Sequence, residues 1–215
     1  MGMNKPSLNG HCTADLVGAG LHTGGKKNTI SNKNQQTPPT IILAGPQGSG
    51  KGTQAEFLKQ MGYDHFEMGG VLRKVAEQDT EIGRHVREAQ ESGKFADFAV
   101  VMRIVQEYVT ARGASGRLMF DGIPRDSRQE QALTPLLRGT GRDQDVRMVL
   151  LDLSRQEAAD NIVYRGVVTG RKDDQNLDTV NTRLEGFYGK TMEVVKRYEE
   201  RGQLLGERDE IAAGD

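Results

Sequence analysis

Two apolar patterns alternate along this chain from Thr40 onward. Thr40-Ile41-Ile42-Leu43-Ala44, Arg117-Leu118-Met119-Phe120-Asp121 and Val146 to Leu151 are short, nearly uninterrupted apolar runs, the pattern of strands buried on both faces of a parallel sheet. Asp64 to Glu67 and Leu204-Leu205 read as shorter strands. Between the runs, apolar residues recur at helical spacing. Lys51 to Gln60 carries Ala55 and Leu58, and a helix opening at Gly69 or Gly70 carries Val71, Leu72 and Val75. Glu81 to Glu91 carries Ile82, Val86 and Ala89, and a longer series runs through Phe98, Val101, Met102, Val105, Tyr108 and Val109; each predicts a helix with one apolar face. Ser127 to Arg138 and Gln156 to Arg165 are further helices. Leu177 to Arg201 is expected as one long helix, weakened or bent at Gly186 and Gly189.

Strand and amphipathic helix in alternation predict an α/β fold, a parallel sheet with helices on both faces. The helices between Glu67 and Ala96 are expected as a small cap over the sheet. Ligands of such sheets gather at the carboxyl ends of the strands. Gly45 and Asp121 both follow their strands at that edge. Residues 1–39 are rich in Asn, Gly, Lys, Thr and Ser; such a stretch buries little against its ordering entropy and is expected to be a flexible extension. Upstream translated sequence is the other reading of it. Pro38 and Pro39 discourage helix before the main domain, residues 40–215.

Composition narrows the function classes. With 215 residues, 35% hydrophobic and 27% charged, the chain can build one core. A net charge of -1 and a pI near 6.5 give no positive field for nucleic acid or an anionic membrane. Cys12 is the sole cysteine, which fits a reducing compartment. No apolar stretch approaches the roughly 20 residues of a membrane span, so cytoplasmic residence is the expectation.

The segment from 45 to 53 reads Gly-Pro-Gln-Gly-Ser-Gly-Lys-Gly-Thr, directly after a strand and before a helix. That context makes a phosphate loop of it, against the alternative of a stray glycine-rich turn. Gly45, Gly48, Gly50 and Gly52 let main-chain N–H groups face an anion closely, and the following helix adds its own unsatisfied N–H groups. Lys51 is a point charge for the terminal phosphates of a nucleoside triphosphate. Gly52 follows that lysine where the general pattern has Ser or Thr, and Thr53, one position on, is placed to meet phosphate or magnesium. Asp121, ending its strand, is a candidate to hold magnesium through the ion's water shell, or else a cap for the next helix. Arg125, after Pro124, suits a forked clamp on a second phosphate.

At this point the chain resembles the adenylate kinase family of nucleoside monophosphate kinases, from about Thr40 to about Gly206. The residues that carry the resemblance are Gly-Pro-Gln-Gly-Ser-Gly-Lys-Gly-Thr-Gln at 45–54, Asp-Gly-Ile-Pro-Arg at 121–125 with Gln129, and Gly-Arg-Lys-Asp-Asp at 170–174. The resemblance implies a P-loop NTPase fold with a small helical NMP-binding cap at about 67–96 and a short lid at about 165–174. It implies reversible transfer of the γ-phosphoryl group of ATP, as its Mg2+ complex, to a nucleoside monophosphate, with AMP the leading acceptor and ADP the product. Gly48, Ser49, Gly50, Lys51, Gly52 and Thr53 match the triphosphate loop. Met68, Gly69 and Arg73 fall in the run that meets the acceptor, with Arg73 on its phosphate. Lys94, Phe95 and Ala96 match a segment contacting the acceptor nucleoside; Gly122, Ile123, Pro124, Arg125 and Gln129 match the loop and glutamine that hold its phosphate and read its base. Arg165, Arg171 and Arg183 match the arginines around the transferring phosphate. Several guanidinium groups offset the repulsion between two anionic substrates.

Only Gly-Val-Val-Thr-Gly separates Arg165 from Arg171, the short-lid form, without a cysteine set for structural zinc. Gly166 and Gly170 are candidate hinges, and Asp173 and Asp174 either pair with lid arginines or cap the next helix. The pattern departs from the family in places. Met68 stands where a threonine is common, Gly70 where an aspartate is common, and Asn161 where many relatives carry an arginine over the donor adenine. From Gly206 to Asp215 no clear terminal helix is read, so a truncated or compact end is expected. A UMP, CMP or other small-acceptor kinase, and a nucleotide-binding protein with little turnover, are the alternative readings. Both substrates can meet within one chain, so a monomer is expected.

Overall fold

The computed structural model of the chain describes residues 38–114, 116–170 and 174–205. Cys12 and the rest of the expected extension up to residue 37, Arg171, Asp173 and the carboxyl-terminal residues 206–215 lie outside the described residues.

Five strands form one sheet, in spatial order β2-β3-β1-β4-β5. They are β1 (Thr40–Ala44), β2 (Tyr63–Glu67), β3 (Arg117–Asp121), β4 (Val146–Leu150) and β5 (Leu204–Leu205). Every pairing is parallel. Central β1 is buried throughout, the consequence of its uninterrupted apolar run. Alternate residues feed opposite faces. Ile41, Leu43 and Met119 pack with Ala55 and Tyr63 on one side. On the other, the rings of Phe66, Tyr108 and Phe120 meet at 4.5, 5.8 and 5.9 Å between centroids.

The helices are α1 (Lys51–Gln60), α2 (Met68–Ala76), α3 (Glu81–Glu91), α4 (Phe98–Arg112), α5 (Ser127–Gly139), α6 (Arg155–Thr169), α7 (Leu177–Gly186) and α8 (Met192–Glu200). Side-chain caps start several of them: Thr80, Asp97, Asp126 and Asn176 accept from amides of the next turn, and Ser154 with Glu157 forms a capping box. None among the described residues is long and apolar enough to cross a membrane.

Two helix boundaries differ from the sequence reading. The single long helix expected from 177 to 201 is interrupted by a π-helical stretch, Phe187–Thr191, that links α7 to α8. This wider turn buries Phe187 and Thr191, and Thr191 Oγ1 donates to the carbonyl of Arg125 at 2.9 Å. Wide turns of this kind concentrate at functional sites. Helix α6, expected to end at Arg165, runs on to Thr169. Gly166, expected as a hinge, is a buried position inside it, where a Cβ would lie 3.1 Å from the Cβ of Asp174. Its lack of a side chain serves close packing. Gly170 ends the helix in the left-handed conformation, φ +69°.

Candidate active site

Beyond β1 the chain turns through Gly45–Gly50 into α1. Gly48 adopts φ +86°, and a Cβ there would lie 2.9 Å from Cβ of Asn161 and 3.0 Å from the carbonyl of Ala158. Helix α6 therefore lies directly against the loop, and Asn161 Nδ2 donates to the Gly48 carbonyl at 3.0 Å. No side chain caps α1, which leaves its first amides to an incoming anion. Lys51 Nζ donates to the carbonyls of Gly45 and Pro46, both at 2.8 Å, and approaches Ser49 Oγ at 3.4 Å. Burial lowers its pKa from 10.5 to about 8; Asp121 opposes that shift, and the positive Arg125 and Arg165 add to it.

Asp121 ends β3, paired in register with Leu43 on one side and Glu67 on the other, and is buried. His65 Nε2 is 3.7 Å from its Oδ2, beyond hydrogen-bond range, and is itself a buried atom with no partner. Arg125 is held at several points. Its amide donates to Gln129 Oε1 at 2.7 Å, and its Nε donates to the Gly122 carbonyl at 2.9 Å. Burial pulls its guanidinium below the usual arginine range; Asp121 works against this and Arg183 with it.

On the far side, Asp174 is fully buried. It accepts Nε and Nη2 of Arg165 at 2.8 and 3.1 Å and Nη1 of Arg183 at 3.1 Å. One carboxylate thus fixes two arginines from different helices. Arg183 Nη2 also donates to the Gln90 carbonyl at 3.2 Å.

These groups surround one cavity of about 640 Å³, lined by seven lysines and arginines (Lys51, Lys59, Arg73, Lys94, Arg125, Arg165, Arg183) against three carboxylates (Glu56, Glu67, Asp121). In a chain of net charge -1, that concentration marks a site for polyanions. Among the described residues no cluster of three or more His, Cys, Asp or Glu side chains could hold a metal ion.

The adenylate kinase sequence family matches residues 43–203. The chain belongs to that family. The adenylate kinase of Maricaulis maris is 34% identical over 180 residues, 81% of this chain and 95% of the relative. That of Thermus thermophilus is 36% identical over 179 residues, 80% and 92% of the two chains. The UMP-CMP kinase 1 of Oryza sativa subsp. japonica is 31% identical over 181 residues, 84% of this chain and 67% of the relative. Membership makes the chain a nucleoside monophosphate phosphotransferase with an ATP-dependent reaction.

The cavity of this kinase collects most of the residues expected from sequence. Gly48, Gly50, Lys51, Gly52, Thr53, Asp121, Gly122 and Arg125 line its floor, Gly69, Arg73, Lys94 and Ala96 its cap side, and Arg165 and Arg183 its lid side. Phe95, Ile123 and Pro124 instead line a smaller cavity of about 60 Å³ that shares Lys51, Gly122, Arg125 and Arg183. Three residues lie away from both walls. Met68 is 2% exposed, inside the core, with Leu72, Val75 and Ala76 among the buried residues of α2. Gln129, 4% exposed, spends its carboxamide oxygen on the Arg125 amide. Ser49 turns its hydroxyl toward Lys51.

Glu67, His65 and Tyr164 also line the cavity and were not singled out from sequence. The period of two along β2 puts positions 65 and 67 on one face, at the rim end of the strand, which is the signal that would have found the first two. Tyr164 carried no such signal; as a lone aromatic beside Arg165 it reads as an ordinary helix residue.

Proposed function

We propose that this kinase transfers the terminal phosphoryl group of ATP reversibly to a nucleoside monophosphate, with AMP the first acceptor and two ADP the products. The observation that carries the reading is the cavity, which brings a glycine loop and Lys51 together with Arg73 and Arg125 and with the Asp174-bound Arg165 of α6 and Arg183 of α7. In this reading the loop amides and Lys51 hold the donor's β- and γ-phosphates. Arg73 and Arg125 hold the acceptor's phosphate. An oxygen of that phosphate attacks the γ-phosphorus in line, and the bond from the γ-phosphorus to the β–γ bridging oxygen breaks. No protein nucleophile is needed. Arg165 and Arg183, together with Arg171, follow the charge that spreads over the equatorial oxygens. Lys94, Phe95 and Ala96 border the acceptor nucleoside.

Magnesium fits the donor set. Asp121 and Thr53 are oxygen donors on the cavity wall beside the phosphate loop, and that is the surrounding of a hard cation which keeps most of its water and arrives with phosphate. Bound there, it would neutralise part of the triphosphate's charge.

A pyrimidine monophosphate acceptor, UMP or CMP, is the second reading. The 31% identity to a UMP-CMP kinase over 84% of this chain favours it. One chain's cavity carries both the phosphate loop and the acceptor-side arginines, which supports a monomeric catalyst, and the near-neutral net charge supports small-molecule substrates over nucleic acid.

The test is a coupled measurement of ADP formation from ATP and magnesium with AMP, UMP, CMP and GMP in turn. The highest kcat/KM is expected for AMP. A preference for UMP or CMP replaces the first reading by the second, and no turnover with any of them from folded protein overturns both.

A further inference from the structure

Strand β2 ends in an acidic residue that the reaction above leaves unused. Glu67 stands at the N-cap position of α2, yet its carboxylate makes no capping hydrogen bond to that helix. It accepts Nη2 of Arg73 at 2.9 Å instead. To get there the side chain folds over the first turn of α2. A Cβ at Gly70 would lie 2.7 Å from Glu67 Oε2, and one at Gly69 would lie 3.2 Å from Oε1, so the two glycines leave the room that the carboxylate fills. Both partners of the pair line the cavity and are partly exposed, Arg73 at 40% and Glu67 at 44% of their side chains. A helix start beside an arginine is where an external anion binds, and here the chain's own carboxylate engages that arginine.

We propose that Glu67 is an internal competitor at the acceptor-phosphate site: its carboxylate takes the guanidinium of Arg73 in place of the acceptor's phosphate, and acceptor binding is an exchange of one anion for the other. The proposal rests on the reading of Arg73 as the acceptor-phosphate ligand. A dianionic phosphate monoester brings more charge and three terminal oxygens to the fork, and it wins the exchange. A nucleoside without phosphate gains nothing from it. Because the pair is partly solvated, its strength is that of a surface ion pair, small enough for a substrate to displace.

The experiment is AMP binding by titration calorimetry, with the steady-state KM for AMP and for ATP, in the parent protein, Glu67→Gln, Arg73→Met and the double variant. Glu67→Ser is included because a glutamine oxygen can still accept from Arg73. Losing the carboxylate is expected to tighten AMP binding about three- to five-fold, the worth of an exposed pair. The KM for AMP falls in parallel, while the KM for ATP and the weak binding of adenosine shift by less than about two-fold. In the Arg73→Met background the gain disappears. If Arg73→Met binds AMP as tightly as the parent, the acceptor-phosphate reading itself fails, and the exchange with it. If Arg73→Met weakens AMP binding but neither Glu67 variant tightens it, the exchange is overturned and the acceptor reading stands. A gain that persists undiminished without Arg73 overturns it too, since the effect is then a general field.

Discussion

Replacing Asp174 by asparagine asks whether both lid-side arginines depend on one carboxylate. Asp174 is fully buried and accepts at 2.8 and 3.1 Å from Arg165 and at 3.1 Å from Arg183. Asparagine keeps the shape but offers one oxygen and an NH₂ group, so at least one guanidinium N–H would face a donor. Breaking a buried ion pair from one side costs about 3–5 kcal/mol. The Arg165 side chain is 31% exposed and can return to water, whereas that of Arg183, at 10%, has less relief. The net loss is therefore about 2–4 kcal/mol, below the full buried-pair figure. At about 2–4 °C per kcal/mol for a chain of this size, the unfolding midpoint falls by about 5–15 °C. Freed arginines also lose their aim at the transferring phosphate, and kcat is expected to fall about a hundred-fold. Urea unfolding followed by circular dichroism measures the first effect, with the m-value unchanged; coupled ADP formation, below the variant's midpoint, measures the second. A stability within about 0.5 kcal/mol of the parent, the range of neutral surface changes, together with unaltered kcat, would refute the reasoning.

Other changes probe the loop and its lysine. Lys51→Met removes the ammonium that ties the loop to the Gly45 and Pro46 carbonyls and is expected to lower kcat/KM for ATP at least about a hundred-fold with the fold retained; near-parent activity contradicts the assignment. Because burial holds Lys51 at a pKa of about 8, it is charged below that pH and loses its proton above it, while a bound triphosphate favours the charged form. ATP affinity should thus be level up to pH of about 8 and then fall up to about tenfold per unit, with proton uptake seen as buffer-dependent heat; a KM for ATP that stays level well into the alkaline range argues against it. Gly48→Ala puts a Cβ at φ +86° and 2.9 Å from Asn161. ATP binding by titration should weaken at least about tenfold, from backbone strain of about 1–2 kcal/mol plus the displaced loop; unchanged binding would show that α6 does not brace the loop.

Much of this protein was legible residue by residue. The run 40–44 became the fully buried central strand, and helices 51–60 and 81–91 lie where apolar spacing put them, because burial on a sheet is encoded locally by which positions repel water. The loop was legible for the same reason: glycines and a lysine between strand and helix set local backbone geometry. Contacts between separate elements were not. Nothing local told whether Asp174 would cap a helix or bind arginines, since the answer depends on Gly166 admitting it against α6 and on α7 bringing Arg183 to the same point. Met68 and Gln129 were expected by position to meet substrate; that both are buried, with Gln129 Oε1 accepting from the Arg125 amide, was not legible in the sequence. Glu67 meets Arg73 because its side chain reaches over the first turn of α2, where Gly69 and Gly70 leave the room. Sequence by itself determined which residues seek the interior and where the chain can turn; the tertiary structure decided which charges meet. The reason is range: hydrophobic periodicity and backbone freedom act over a few residues, whereas an ion pair is made or lost by about an ångström in the relative placement of the separate elements that carry its two charges.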